Sequence, residues 1–266
     1  NIMNPHDVIQ THYNKEATNK GSSKESTMHD IFIRDKEIEF IFNTIDKTYK
    51  KQDKNLTILD VGCGNGYLLS QLSARYPDFK FHGLEFNKEL YKLASERTLK
   101  NVQLIQDDCR KDNFKPNSFD IVISERVLIN LLSKEDQITA IEKIYTILNT
   151  DGIFIMIESF IEPLVNLNKA QQELCLTEMK PAYHNNYLSE SIIDEMKNTG
   201  FTEINTSIPQ NYLSTHYFTA RVLHESLRPE NAPIRNTEFV KFLDAAFPPA
   251  IGNYSPLLFR VFTKNS

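Results

Sequence analysis

The stretch that decides the fold is residues 56–72, which read LTILDVGCGNGYLLSQL. Its first six residues form a largely apolar run typical of a buried strand, and its last six carry leucines at helical spacing. Between them lie Gly62, Gly64 and Gly66. The chain has only 8 glycines in 266 residues, so this concentration indicates a backbone that side chains would obstruct. We predict a strand, a ligand-binding turn and a helix here.

Strand and helix patterns alternate on the C-terminal side of this unit. Further apolar strand runs are typical of buried strands in a mainly parallel sheet, and helical spacings separate most of them. Such alternation predicts an α/β fold with a doubly wound, Rossmann-like, seven-stranded and mainly parallel sheet. The predicted strands cover residues 56–61, 79–84, 102–105, 119–124, 152–158, 201–208 and 257–263.

Composition narrows the classes of partner. Thirty Lys and Arg stand against 35 Asp and Glu, a formal net charge of −5, which disfavours a nucleic-acid partner. The cysteines, Cys63, Cys109 and Cys175, lack the paired short spacing of a zinc site, so no metal is expected. No apolar run approaches the ~20 residues of a membrane span. We expect a cytoplasmic protein.

The glycine spacing separates cofactor classes. A dinucleotide fingerprint would require Gly or Ala at position 67 or 69, where the chain has Tyr67 and Leu69. A phosphate-binding loop would require Gly-Lys-Ser/Thr, which does not follow. A nucleotide-dependent oxidoreductase is therefore the disfavoured enzyme class.

The pattern Asp60-x-Gly-x-Gly-x-Gly66 resembles the first motif of class I S-adenosylmethionine-dependent methyltransferases. The similarity covers about residues 56–160, and it implies S-adenosylmethionine as cofactor, with S-adenosylhomocysteine as product. The further matching elements, in chain order, are Glu85 ending the second strand, Asp107-Asp108-Cys109 after the third, Phe119-Asp-Ile-Val in the fourth, and LNTDGIFIMIE at residues 148–158.

The resemblance implies which residues hold the nucleoside part of that cofactor. Glu85 would accept hydrogen bonds from both ribose hydroxyls, and Phe86 would lie against the adenine. Asp108 would take the adenine amino group, and the Cys109 N–H would bond a ring nitrogen. Asp107 belongs to the same implied group.

The methionine part has its own implied contacts. Gly62, Cys63 and Gly64 would pack against it and the ribose, and the carbonyl region of Ser124 would hold the α-amino group. For Asp60 two roles are predicted as alternatives: it contacts the ligand, or it caps the glycine loop.

Two N-terminal residues resemble positions from which a helical segment closes on the cofactor. These are Tyr13 and Arg34, the latter suited to a bidentate pair with the cofactor carboxylate. The alternative for both is an ordinary surface helix.

We predict one class I methyltransferase domain over residues 1–266. Residues 1–53 would form an N-terminal helical segment, and 56–160 the cofactor-binding core. Residues 161–188 and 209–255 lack a clear strand pattern and are rich in aromatic residues and histidines. We expect them to be helical additions that cover the acceptor site.

Two histidines in these additions are candidates for a general base, because the ordinary pKa of histidine lies near working pH. His184 is the first candidate, since it lies between aromatic and amide side chains in Tyr183-His-Asn-Asn-Tyr187, and His216 is the second. For either one, a purely structural role is the alternative.

The acceptor is predicted to be a small polar molecule methylated on oxygen or nitrogen. The segments SERVLINL (124–131) and YFTARVLHESLRPE (217–230) resemble bacterial methyltransferases of sugar or surface-glycan biosynthesis, which implies a sugar or phosphorylated acceptor with Arg221, His224 and Arg228 as anion contacts. A solvated helix face is the alternative for these three residues. The Asp/Asn-Pro-Pro-aromatic motif of DNA amino methylation is absent, so DNA is not expected. An RNA or protein acceptor, a non-catalytic cofactor-binding subunit and a homodimeric assembly stay open.

Overall fold

The computed structural model of the protein describes residues 11–15 and 30–265. The remainder of the predicted N-terminal segment, 1–10 and 16–29, therefore lies outside the described residues. Residues 11–15 are helical, and helix α1 (Ile31–Gln52) precedes the first strand. The side chain of Asp30 caps α1 by accepting a hydrogen bond from the Ile33 N–H, as expected of an N-cap aspartate.

A seven-stranded sheet forms the centre of the molecule, in the order β3-β2-β1-β4-β5-β7-β6. The first five strands are parallel, and β7 runs antiparallel to both β5 and β6. The predicted doubly wound and mainly parallel fold is confirmed. The strands are β1 (Thr57–Val61), β2 (Lys80–Glu85), β3 (Val102–Gln106), β4 (Phe119–Glu125), β5 (Leu148–Ser159), β6 (Phe201–Glu203) and β7 (Leu257–Lys264).

Helices cover both faces of this sheet. One apolar cluster joins α1 and α2 to one face, and a second joins α4 and α6 to the other. After α1, the helices are α2 (Tyr67–Arg75), α3 (Lys88–Glu96), α4 (Lys134–Ile147), α5 (Ile161–Glu173), α6 (Ser191–Thr199), α7 (Ser214–Phe218), α8 (His224–Leu227) and α9 (Glu238–Ala246), with a 3₁₀ turn at Leu128–Asn130 and a π-helical turn at Thr219–Leu223.

The sheet order creates a switch point between β1 and β4. From β1 the chain builds outward through β2 to β3, and then returns to add β4 on the other side of β1. Ligands of open α/β sheets bind beyond the carboxyl ends of the strands at such a point. The loops that follow Val61, Glu85 and Glu125 therefore border the expected ligand site.

Predicted and observed bounds differ at β5, which begins at Leu148 rather than at residue 152, and at β6. The strand expected over 201–208 is the short β6, although the Ile204 N–H still donates to the Val261 oxygen. β6 lies at the edge of the sheet and, among the described residues, pairs with β7 alone, and Ile204 is 36% exposed, so burial does not favour extension. Within the described part of the chain, no helix is long and apolar enough to cross a membrane.

Candidate functional site

A cavity of about 300 Å³ opens at the carboxyl ends of β1, β2 and β4. Its volume falls within the range of small-molecule sites. The glycine loop after β1 lines one side, and the turn after β4 lines another. His12 and Tyr13 of the helical residues 11–15 also line it.

The loop after β1 has a backbone that requires glycine. Gly62, Gly64 and Gly66 have φ angles of +68°, +55° and +72°, a region that residues with a Cβ rarely adopt. A Cβ on Gly62 would also collide with the side chain of Val127. The Gly62 N–H donates to the Leu84 oxygen at 2.7 Å, which fixes the loop against the end of β2. The loop therefore presents its main chain directly to the cavity.

Glu85 at the end of β2 is a buried carboxylate that lines the cavity. It accepts hydrogen bonds from the N–H groups of Gly64 at 2.8 Å and Asn87 at 2.7 Å. Burial raises the pKa of Glu85, and these main-chain hydrogen bonds oppose part of the rise. A carboxylate has more acceptor positions than two bonds fill. Glu85 can therefore still receive hydroxyl groups from a ligand in the cavity.

The loop after β3 contains an arginine that the sequence analysis missed. The Nε of Arg110 donates to both carboxylate oxygens of Asp108, at 3.0 and 3.2 Å, and another guanidinium nitrogen pairs with Asp136 of α4 at 2.9 Å. Asp108 is thus held in place by Arg110, and Arg110 fastens this loop to α4. The Asp-x-Arg spacing was the available signal, although nothing local indicated the contact with Asp136.

Four charged side chains form one wall beside the glycine loop. Arg34 pairs with Glu125 and lies 3.5 Å from Glu37, whereas Arg126 pairs with Glu37 and lies 3.5 Å from Glu125. Two cations and two anions thus alternate in a largely buried network. Burial lowers the pKa of Arg126 to about 9, and the nearby Arg34 adds to the effect. Asp60 faces this network, and burial raises its pKa well above the ordinary value.

His184 lies on the cavity wall and is only 7% exposed. Its ring stacks on that of His12 with a centroid separation of 3.8 Å. Burial lowers the pKa of His184 to about 4, and His12 adds to the effect. Its Nδ1 is buried and has no hydrogen-bond partner within 11–15 and 30–265. Beside it, the Tyr13 hydroxyl accepts a hydrogen bond from Asn130 at 2.8 Å, and burial raises the pKa of Tyr13 to about 12.

Among the predicted cofactor-binding and catalytic residues, His216 and Ser124 do not line the cavity, and neither do the predicted anion contacts Arg221, His224 and Arg228. His216 lies elsewhere, with its Nδ1 2.6 Å from Asp244 and its Nε2 3.0 Å from Asp30. Both ring nitrogens are therefore engaged by carboxylates. Ser124 is fully buried, and its hydroxyl donates to Glu158. The predicted residues that do line the cavity are Tyr13, Arg34, Asp60, Gly62, Cys63, Gly64, Glu85, Phe86, Asp107, Asp108, Cys109 and His184.

The family model that matches this chain and the two relatives described here are all methyltransferases. A family model described as a methyltransferase domain matches residues 52–206. A malonyl-[acyl-carrier protein] O-methyltransferase of Bacillus anthracis is 25% identical over 167 residues, which span 60% of this chain and 60% of that protein. An uncharacterized methyltransferase of Bacillus subtilis is 34% identical over 97 residues, 36% of this chain and 52% of that protein. The chain thus covers well under two thirds of these relatives.

Solved structures share the fold at lower identity. A SAM-dependent methyltransferase from Methanosarcina mazei superimposes with a TM-score of 0.51 and 12% identity, over 79% of this chain and 93% of that one. The [4+2]-cyclase SpnF superimposes with a TM-score of 0.52 and 17% identity, over 83% and 79%. Because a chain named as a cyclase has this fold, the fold by itself does not determine the reaction.

Proposed function

Because the chain belongs to the family of methyltransferase domains, we propose that it transfers a methyl group from S-adenosylmethionine to an oxygen or nitrogen atom of a small polar acceptor. One observation carries this proposal. The buried carboxylate of Glu85 bonds the glycine loop while lining a cavity at the switch point of the sheet.

The residues of the cavity fit that cofactor. Gly62 and Gly64 line the cavity and carry no side chain, so a ligand could approach the main chain of the loop closely. Glu85 would receive the ribose hydroxyls, and Phe86, which lines the cavity, would lie against the adenine. Arg34 would meet the cofactor carboxylate, which would then share this guanidinium with Glu125. The bound cofactor would supply an activated methyl group, so the protein mainly provides orientation and a route for the acceptor's proton.

His184 is our candidate for that proton route. With a pKa of about 4 its imidazole is neutral at neutral pH, so a ring nitrogen can accept a hydrogen bond from the acceptor's O–H or N–H. It is a weak base in the ground state. The acceptor's proton becomes more acidic as the new bond to carbon forms, and His184 would take it at that stage. His216 has no part in this proposal, because its ring nitrogens are bound by Asp30 and Asp244.

In a second candidate function, the methyl acceptor is an acyl group bound to a carrier protein. The Bacillus anthracis relative is named as an O-methyltransferase of malonyl-[acyl-carrier protein], so a carrier-bound acyl acceptor is the alternative that the comparisons favour. A sugar or phosphorylated glycan precursor stays a prediction.

A transfer assay with a methyl-labelled donor tests the proposal. The acceptor panel would contain sugars, sugar phosphates, small carboxylic acids, amines and malonyl-acyl carrier protein. We expect label in a small molecule, and label on the carrier protein alone would favour the second candidate. Binding of S-adenosylhomocysteine without transfer to any acceptor would instead favour a non-catalytic cofactor-binding subunit.

A further inference from the structure

Three uncharged polar residues of the cavity wall, Tyr13, Asn130 and Asn185, are joined by hydrogen bonds. The Nδ2 of Asn130 donates to the Tyr13 hydroxyl oxygen at 2.8 Å and to the Arg126 carbonyl oxygen at 3.0 Å. The Nδ2 of Asn185 donates to the Oδ1 of Asn130 at 2.9 Å. The three residues come from distant parts of the chain and meet at the cavity, and we call them the polar triad.

The direction of these hydrogen bonds is fixed by the Arg126 carbonyl. Because a carbonyl can only accept, the Asn130 atom beside it is the NH₂ group, and that group has no further hydrogen once it also bonds Tyr13. The Tyr13 oxygen therefore accepts, and its O–H hydrogen is left to donate. At the other end, Asn185 directs its NH₂ group to Asn130, so its Oδ1 is left to accept. Within residues 11–15 and 30–265, neither end of the polar triad has a partner.

The two amide side chains of the triad are held in place by Gln137 of α4, which is buried. Its Nε2 donates to the Leu128 oxygen at 3.2 Å and to the Asn186 oxygen at 2.9 Å. The Asn186 N–H in turn donates to the Ile129 oxygen at 2.6 Å. The segment that carries Asn185 is thus fastened to the turn after β4, and a ligand would meet these amide groups in positions that the fold has already set.

The polar triad lies beside His184, the proposed proton acceptor. The rings of Tyr13 and His184 meet edge to face with a centroid separation of 6.2 Å, and Asn185 is the next residue in the chain. All of these residues line the same cavity. A molecule whose reacting atom lies at His184 would therefore bring a neighbouring group to the triad.

The charges around the cavity favour an uncharged group at the triad. Acidic residues outnumber arginines in the lining, and the arginines pair with carboxylates. The acidic residues are Asp60, Glu85, Asp107, Asp108 and Glu125, and the arginines are Arg34, Arg110 and Arg126. Even if the raised pKa values of Asp60 and Glu85 keep both protonated, the other three acids balance the three arginines. An anionic group would thus meet no excess of positive charge from these residues.

We propose that Tyr13 and Asn185 determine acceptor specificity by binding an uncharged hydroxyl or primary amide group next to the atom that is methylated. The inference rests on the proposed function and deepens it, because it assigns Tyr13 to the acceptor and makes this group of the acceptor neutral. The Tyr13 O–H donates to the group, and the Asn185 Oδ1 accepts from it. A carboxylate has no hydrogen for Asn185, whereas a hydroxyl or an amide supplies both a donor and an acceptor. Asn130 is a positioning residue, because it fixes which end donates.

Titration by NMR with propionamide, and separately with propionate, tests this subsite, because the two probes share a shape and differ in charge. The protein is isotope-labelled and saturated with S-adenosylhomocysteine, and the side-chain NH₂ signals of Asn130 and Asn185 report binding. We expect propionamide to shift both signals saturably, with a Kd about tenfold below that of propionate. Tyr13→Phe and Asn185→Leu should each raise the propionamide Kd about fivefold, because each removes one hydrogen bond. Tyr13→Phe should leave the Kd of S-adenosylhomocysteine within about twofold, since we assign Tyr13 to the acceptor.

Tyr49→Phe is the matched control, because the Tyr49 ring packs against Phe79 outside the cavity lining, and it should change neither Kd. An equal propionamide Kd in wild type and Tyr13→Phe would overturn the proposal, as would tighter binding of propionate or failure of both probes to shift the Asn signals. A Tyr13→Phe variant that weakens only S-adenosylhomocysteine would return Tyr13 to the cofactor and also overturn it. If Asn185→Leu does not fold, Tyr13→Phe decides alone, since it removes a single oxygen atom. If S-adenosylhomocysteine does not bind, the proposed function fails separately, and the same titrations without it still decide whether the triad binds an uncharged group.

Discussion

Glu85 shows how one side chain serves both the fold and the site. Its carboxylate bonds the N–H of Gly64 in the glycine loop and the N–H of Asn87 at the start of α3. The two loops that border the cavity therefore depend on the same carboxylate, Gly64 on its Oε2 and Asn87 on its Oε1. A ligand hydroxyl that bonds Glu85 would enter a geometry that is already fixed.

Replacing Glu85 with alanine should weaken binding of S-adenosylhomocysteine by about 1–3 kcal/mol, because the ribose loses its acceptor and two main-chain donors lose their partner. Isothermal titration measures the change. Asp112→Ala, which removes an exposed carboxylate paired with Lys143, is the control and should leave the affinity unchanged. An unaltered affinity in Glu85→Ala would reject the ribose assignment.

His184→Ala should lower turnover by about 10²-fold, the low end for general-base catalysis, because a base with a pKa near 4 is weak. Affinity for S-adenosylhomocysteine should stay within about twofold. The control is His82→Gln, which changes a histidine within β2 that does not line the cavity. Normal turnover of His184→Ala would remove it from the mechanism.

The lowered pKa of His184 predicts how turnover depends on pH. Because the pKa of His184 is lowered to about 4, the imidazole is neutral throughout the range from pH 6 to 8. Its protonation should therefore reduce turnover only as pH falls toward 4, where the accepting nitrogen is lost. A wild-type rate that already falls between pH 7 and 6, and does so equally in His184→Ala, would assign that titration to another group.

At the scale of elements, local signals were enough for β1, the glycine loop and α2. Strand, turn and helix patterns there are contained within residues 56–72, and each reflects its own neighbours in sequence. β6 was overestimated because strand length at a sheet edge depends on a partner that the sequence does not reveal. The network of four charged side chains beside the glycine loop could not be predicted from local sequence either, because Glu37 and Arg126 are 89 residues apart and meet only in the folded chain.

The loop after β3 depends on Arg110, which joins Asp108 to Asp136 of α4. Arg110→Ala should increase amide hydrogen exchange at residues 107–113 and weaken S-adenosylhomocysteine binding several-fold, because the loop that would face the adenine loses its attachment. Lys143→Ala is the control, since it removes a surface pair with Asp112 of the same loop, a kind of pair worth about 0–1 kcal/mol. Identical exchange in both variants would contradict this role for Arg110.

At the scale of the whole molecule, His216 joins segments that are distant in the chain. Through Asp30 and Asp244 it ties the start of α1 to α7 and α9. Burial lowers the pKa of His216, but its bonds to Asp244 and Asp30 raise it more, so the net shift is upward. The histidine that sequence reasoning considered for catalysis thus acts as a tertiary contact.

A raised folded-state pKa fixes the sign of the pH dependence. His216 contributes its full stabilisation below the unfolded pKa of about 6.5, and that contribution is lost as pH rises through the higher folded value. Urea unfolding at pH 6 and pH 9 should therefore show a larger loss of stability in wild type than in His216→Asn. His82→Gln should lose at least as much stability as wild type between pH 6 and pH 9, because the pKa of His82 is lowered and its contribution therefore changes in the opposite direction. Equal pH dependence in wild type and His216→Asn would contradict the assignment.

We propose that the cavity formed by the sheet, the glycine loop and the buried Glu85 binds S-adenosylmethionine. Calorimetric titration of the wild-type protein with S-adenosylmethionine and, in parallel, with NAD decides this directly. We predict saturable binding of one S-adenosylmethionine per chain and no binding of NAD, because Tyr67 and Leu69 occupy the positions at which a dinucleotide turn needs a small residue. Binding of NAD without binding of S-adenosylmethionine would contradict the account.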